Sequence, residues 1–195
     1  MTMRNLLIIV IIFGVGIIYG SLVLTIDNNT HAAIAKNAIP ATPPDAAMVA
    51  YIQHKNNKVY PSLAEDIARA VVSSAGKYKL PKEVLLALIE VESTFNYCAE
   101  SSAGAIGLMQ IYPKIWLKEG AKENLITQKV ISNKKDLYDP TKNIAAGAFI
   151  LSHYYKQTKS LKGALTKYFG GTQNSHYQKV CQRVGEFFVY SKLTI

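Results

Sequence analysis

Residues 6–24 read LLIIVIIFGVGIIYGSLVL, an apolar run without one charge, and this run limits the fold more than any other feature of the chain. Backbone polar groups in hydrocarbon must pair within their own segment, and a helix of about 20 apolar residues crosses a bilayer. The run therefore reads as a membrane-spanning helix, outside any soluble core. A cleaved signal peptide is the competing reading, but its apolar stretch covers only about 7 to 15 residues and is closely followed by a small-residue cleavage site. The nearest such pattern, Ala33-Ile34-Ala35, lies well downstream, which favours an uncleaved anchor. Arg4 precedes the run and no Lys or Arg follows before Lys36. The positive-inside rule then keeps the N-terminus in the cytoplasm and sends everything after the run across the membrane.

The chain beyond the anchor is long enough for one core and hardly for two. Residues 27–58 turn to Ala, Asn, Thr, Pro and Lys, with Pro40, Pro43 and Pro44 close together and no sustained period. They read as a partly extended linker. The expected division is an anchor at residues 1–26, a linker at 27–58 and a folded domain at 59–195. Within the domain, Ser62 and Glu65 have the spacing of a capping box at the head of a helix over 63–78. Pro81 suits the first turn of the next, whose apolar run 84–91 carries it to residue 95 or 96. Residues 101–107, SSAGAIG, form a small loop, and 108–116 start another helix. Asp139-Pro140 opens a further one, in which Ile144, Ala148, Ile150, Leu151 and Tyr155 keep helical spacing; residues 160–169 and 176–191 read likewise. No segment alternates with period two, so the fold class is mainly α.

Nearly all of the +9 net charge lies beyond the anchor. Such an excess suits a polyanionic partner, and across a membrane the polyanions are the cell wall, with its peptide carboxylates, and anionic lipid head groups. Lys outnumbers Arg and no basic stripe is interleaved with aromatics, which argues against nucleic acid. His31, His54, His153 and His176 lack metal-ligand spacing, and neither a phosphate loop, a dinucleotide fingerprint nor a Ser-His-Asp order is present. No metal or cofactor is expected. Cys98 and Cys181 both fall on the exported side, where an oxidising compartment lets thiols pair; a disulfide and two free thiols both remain open, because pairing does not follow from sequence.

Leu85, Leu88, Ile89 and Glu92 are related by steps of three and four and share one helical stripe. A carboxyl group on an apolar stripe loses solvation, which raises its pKa and suits it to hold a proton near neutral pH as a general acid. Glu90 stands about 200° around the helix and is expected to be an ordinary exposed glutamate. Periodicity alone leaves open that Glu92 merely braces the helix end.

The order of motifs narrows this. Glu92-Ser93, then Gly104 and Gly107-Leu108-Met109-Gln110, resembles the E-S … G-L-M-Q signature of the lytic transglycosylases related to the soluble lytic enzymes and to goose-type lysozyme. Asp139-Pro140 with Asn143-Ile144 and Gly147 is similar to the D-P … N-I-x-x-G helix of that family, residues 168–171 to its A-Y-N-x-G segment, and Tyr177 with Val180 to its last helix. The match runs in order over residues 60–188. The resemblance implies a lysozyme-like helical domain with a groove for glycan. It implies that Glu92 is the single catalytic acid and base, cutting between N-acetylmuramic acid and N-acetylglucosamine with closure of a 1,6-anhydro ring. Ser101 and Gln110 match positions that hydrogen-bond the sugar or the catalytic carboxyl, Tyr112 lines the groove, and Tyr168 and Tyr177 face the acid; Met109 reads as core filler.

Hydrolytic glycosidases ordinarily use two carboxyl groups. Between Glu92 and Asp136 the acidic residues are Glu100, Glu119 and Glu123, with Glu100 the candidate second carboxylate. One departure stands out: Phe169 occupies the position where the family usually carries Asn. The implied partners are peptidoglycan strands and the inner membrane, with the domain in the periplasm, and by analogy an envelope-spanning secretion or conjugation apparatus. A hydrolytic lysozyme of related fold and a wall-binding scaffold are the alternatives. Cys98, in the loop after the Glu92 helix, is expected near Cys181 on the final helix.

Overall fold

The computed structural model describes residues 45–171 and 174–193, the side chain of Asn174 aside, all within one unit spanning residues 42–195. The apolar run 6–24 and most of the expected linker lie outside the described residues. Among the described residues no helix is long and apolar enough to cross a membrane.

Asp45 accepts a hydrogen bond from the Met48 N–H at 3.2 Å and caps helix α1, Ala46–Lys55. Met48, Tyr51 and Ile52, spaced by three and four, form its buried stripe, each at most 1% exposed. This helix corrects the linker expected to run to residue 58: packed structure already begins at Asp45. Helix α2, Pro61–Tyr78, starts on Pro61, whose fixed φ and missing N–H suit a first turn. The expected Ser62–Glu65 capping box does not form. Ser62 lies inside the helix, and Glu65 instead pairs with Arg69 at 3.4 Å.

Helix α3, Lys82–Ser93, follows Pro81 and is covered from several sides. Leu85, Leu86, Leu88 and Ile89 are fully buried, each contributing about 1.5–3 kcal/mol relative to exposure. A helix apolar around most of its circumference must be enclosed, and α2 and the last helix α7, Asn174–Leu193, pack against it. This corrects the reading of Glu90 as an exposed residue. It is 6% exposed; it accepts from the Tyr51 hydroxyl at 2.7 Å and pairs with Lys55 and Arg183, each at 3.2 Å. Glu186 on α7 completes the cluster, 2.5 Å from Lys55 and 2.7 Å from Arg183. There is no solvent-facing side of α3 at Glu90, because α1 and α7 close over it.

α3 ends earlier than expected, at Ser93, since Thr94 and Phe95 both adopt left-handed backbone with φ of 50° and 60°. The segment to residue 112 is loop, with isolated bridges joining Ile106 to Glu100 and to Ile111. The helix expected over 108–116 shrinks to α4, Pro113–Trp116, because Ile106 and Ile111 exchange two 2.9 Å backbone hydrogen bonds that turn the chain back on itself. After a 3-10 turn at Lys134–Tyr138, Asp139 accepts from the Lys142 N–H at 2.8 Å and caps α5, Pro140–Thr158, as its Asp-Pro start suggests. Ile144, Ala148, Ile150 and Leu151 are buried as their spacing requires, but Tyr155 is 42% exposed; Tyr154 packs inward instead. α5 packs on α2 and on the short helix α6, Leu161–Tyr168. The described residues contain no named strand, and the fold is mainly helical.

Candidate active site

The Gly-Leu-Met-Gln segment is locked in place by α5. Gly107 has φ 78°, and a Cβ there would lie 2.2 Å from Asn143 Nδ2 and 2.6 Å from the Leu137 carbonyl oxygen, so glycine answers both the backbone angle and the close approach. Asn143 is fully buried. Its carbonyl oxygen accepts from the Met109 N–H at 2.8 Å, and its amide donates to the carbonyls of Ile106 at 3.0 Å and Leu137 at 2.7 Å. One turn further, a Cβ on Gly147 would sit 2.2 Å from Met109 Sδ. Met109 is core filler, as expected, and α5 approaches it closely because Gly147 has no side chain.

Glu92 occupies the last turn of α3, partly buried, with no hydrogen bond or ion pair to its carboxyl group among the described residues. Loss of solvation alone pushes its pKa from 4.5 up to about 7. Burial is therefore the cause of the shift, no neighbouring charge is required, and the stripe that Glu92 continues, Leu85, Leu88 and Ile89, is itself fully buried. Tyr168, at the end of α6, stands beside it: burial foremost, and then the Glu92 charge, hold its hydroxyl well above the usual tyrosine range. That hydroxyl donates to the Met109 carbonyl oxygen at 2.8 Å. α3, α6 and the Gly-Leu-Met-Gln segment thus converge on one place.

A cavity of about 20 Å³ adjoins Tyr168 and Gln110, lined also by Tyr112, Trp116 and Tyr154 among others but not by Glu92; a volume of that order holds about one water. Tyr112 is 40% exposed and offers its ring outward. Gln110, with φ 46°, spends its amide N–H on the carbonyls of Ala99 at 3.2 Å and Gly107 at 3.0 Å, so it braces the loop that carries it. Ser101 Oγ similarly accepts from the Ala105 N–H at 3.0 Å. Tyr177, on α7, packs against the core with its ring 5.7 Å from Lys162 Nζ. None of its described interactions reaches Glu92.

Glu100 is exposed and accepts from the Tyr138 hydroxyl. Cys98 and Cys181 are both exposed free thiols, the second of the two alternatives that the sequence leaves open. Phe169 packs on Tyr168 at 6.0 Å and on His176 at 4.8 Å between ring centroids, so aromatic contact replaces the amide of the family pattern. Sequence reasoning missed Trp116 and Tyr154, which meet edge to face at 5.6 Å on the cavity wall. The signal available for Trp116 was that it is the sole tryptophan of the chain.

Residues 69–185 match the family model described as the transglycosylase SLT domain. Over 93 residues the chain is 36% identical to the membrane-bound lytic murein transglycosylase E of Buchnera aphidicola, covering 47% of this chain and 41% of that one. Over 105 residues it is 30% identical to the transglycosylase of Enterobacteria phage PRD1, covering 54% and 35%. An inactive mutant of the lytic transglycosylase Slt from Pseudomonas aeruginosa superposes with a TM-score of 0.48 at 20% identity, covering 73% of this chain and 28% of that one. The chain spans less than half the length of these relatives. With the family model matched over more than half of its residues, the chain belongs to the transglycosylase SLT domain family.

Proposed function

We propose that this chain is a peptidoglycan lytic transglycosylase in which Glu92 alone supplies the acid and the base. The observation that carries the reading is a carboxyl group whose pKa is raised to about 7 by burial alone, beside Tyr168 and the Gly-Leu-Met-Gln segment. Near neutral pH such a group is close to evenly divided between its two forms, the condition under which one residue gives and then takes a proton. Protonated Glu92 donates to the glycosidic oxygen as the bond from C1 of N-acetylmuramic acid breaks, releasing the N-acetylglucosamine 4-hydroxyl. The Glu92 carboxylate then removes the proton of the muramyl 6-hydroxyl, whose oxygen attacks C1 and closes the 1,6-anhydro ring. Glu92 ends protonated and water is not consumed.

Tyr168 keeps its own proton and helps exclude water from the carboxyl. Ser101 and Gln110 act by holding the loop, and Tyr112 offers the outward ring face. The chain works from the inner membrane, anchored by residues 6–24, on the periplasmic side, and opens the wall locally for an envelope-spanning apparatus; the uncharged run and the basic remainder support this placement.

The first step needs the proton, so activity is retained below the Glu92 pKa and lost above it. Release of soluble fragments from purified sacculi by the full chain is expected to fall about tenfold per pH unit above pH 7. A rate that holds constant from pH 7 to 9 contradicts the assignment.

A further inference from the structure

A cavity far larger than the one at Tyr168 lies elsewhere on the domain. It has a volume of about 630 Å³ and opens between residues 54–60 with Leu63 on one wall and residues 94–97 on the other. That size falls in the range of small-ligand sites, roughly 300–1,000 Å³. Its walls are tied together: Asn56 Nδ2 donates to the Thr94 carbonyl oxygen at 2.8 Å, and Asn56 Oδ1 accepts from the Lys58 N–H at 3.0 Å. The cavity is therefore part of the folded frame.

Its chemistry is specific. Tyr60 and Tyr97 are 56% and 37% exposed, two aromatic rings presented to solvent at one opening. Asn57 adds an exposed amide, and Asn96 an exposed amide NH2 whose carbonyl oxygen accepts from the Cys98 N–H at 3.1 Å. Lys55 is committed to Glu90 and Glu186, whereas among the described residues no ion pair engages Lys58. Aromatic faces suit the apolar face of a sugar ring, amides suit an acetamido group, and an unengaged ammonium suits a carboxylate.

We infer that this cavity is a second binding site for the wall strand, taking a peptide-bearing N-acetylated amino sugar. The inference rests on the reading of the chain as a wall-cutting enzyme and adds which part of the substrate it grips outside the Glu92 site. Two positions support it. Thr94 follows Glu92 by two residues at the end of the same helix, so a strand held here stays within reach of the carboxyl. Residues 54–63 precede the start of the family match at residue 69, so this wall is built by chain outside the shared domain.

The test uses the full chain in detergent. The probe is a soluble disaccharide-tetrapeptide, titrated into the Glu92→Gln chain by calorimetry, with peptide-free chitotetraose as the second arm. Lys58→Ala combined with Tyr60→Ala is expected to weaken the disaccharide-tetrapeptide about tenfold and to slow release from sacculi when Glu92 is present. The single variant Tyr97→Ser, at an exposed position, gives the same direction and serves if the double variant does not fold. Affinity unchanged within twofold in both variants overturns the inference, while continued cutting by the parent chain leaves the proposed function standing. Chitotetraose binding as tightly as the peptide-bearing probe, with no effect of Lys58→Ala, overturns the peptide-bearing assignment. A parent chain that neither binds nor cuts overturns both readings.

Discussion

Glu92→Gln abolishes cleavage of purified sacculi, with a loss of at least about a thousandfold, and at the same time raises the melting temperature above pH 7. The first effect arises because glutamine keeps the shape but carries no transferable proton, and a positioned acid–base group contributes typically 10²- to 10⁴-fold. The second comes from linkage. The carboxyl has a pKa of about 7 when folded against 4.5 unfolded, so burial favours the protonated form. Below pH 4.5 the group is neutral in both states and costs nothing. Between 4.5 and 7 the unfolded chain ionises first, stability falls, and above 7 the full penalty is present. At 1.36 kcal/mol per pKa unit, discounted for partial exposure, that penalty is on the order of 2 kcal/mol. The variant should melt about 4–8 °C higher than the parent at pH 8 and within about a degree of it at pH 4, measured by calorimetry. Equal melting temperatures at both pH values would show that Glu92 is solvated and titrates normally.

Asn143→Ala is expected to cost about 3–5 kcal/mol, because each of three buried backbone groups left without a partner costs about 1–3 kcal/mol, partly offset by relaxation. The groups are the Met109 N–H and the carbonyls of Ile106 and Leu137. Met109 also carries the carbonyl that holds the Tyr168 hydroxyl beside Glu92, so the site loosens with the loop. A displacement of about 1 Å in such a site can cost on the order of 100-fold in rate. Urea unfolding and sacculus release, both read below the lowered melting temperature, check the two parts. Asn143→Asp does not rescue either one, because it keeps the acceptor for Met109 but sets carboxylate oxygens against two carbonyls. Near-parental stability in Asn143→Ala would remove α5 from the account of how the site is held.

How far the sequence reached is seen best at two neighbouring glutamates. The placement of Glu92 was legible because its spacing from the buried Leu85, Leu88 and Ile89 is a local property of one helix, and burial is what raises its pKa. Glu90 was misread because the same periodicity assumes a helix with a wet back. That back is covered by α7 and also by α1, whose stripe of Met48, Tyr51 and Ile52 sits just after Pro43 and Pro44 in a stretch that reads as linker. The Asp-Pro start of α5 was clear from local capping chemistry. The Ser62–Glu65 box was not formed, since Pro61 had already begun the helix. Tyr154 and Tyr155 differ by one residue, and only the position of α5 against Trp116 decides which ring lines the cavity. Asn143 appeared in a motif without a role; its three hydrogen bonds span residues far apart in sequence and become visible only once the loop is folded.

The chemistry proposed for Glu92 leaves a mark on its product. Mass spectrometry of the fragments released from sacculi by the full chain reads that mark directly. New muramyl ends carrying the 1,6-anhydro ring are the predicted result, since the 6-hydroxyl of the same sugar displaces the leaving group. New reducing ends in their place would mean that water attacks C1 and that a second group activates it, and the single-carboxyl account would be wrong.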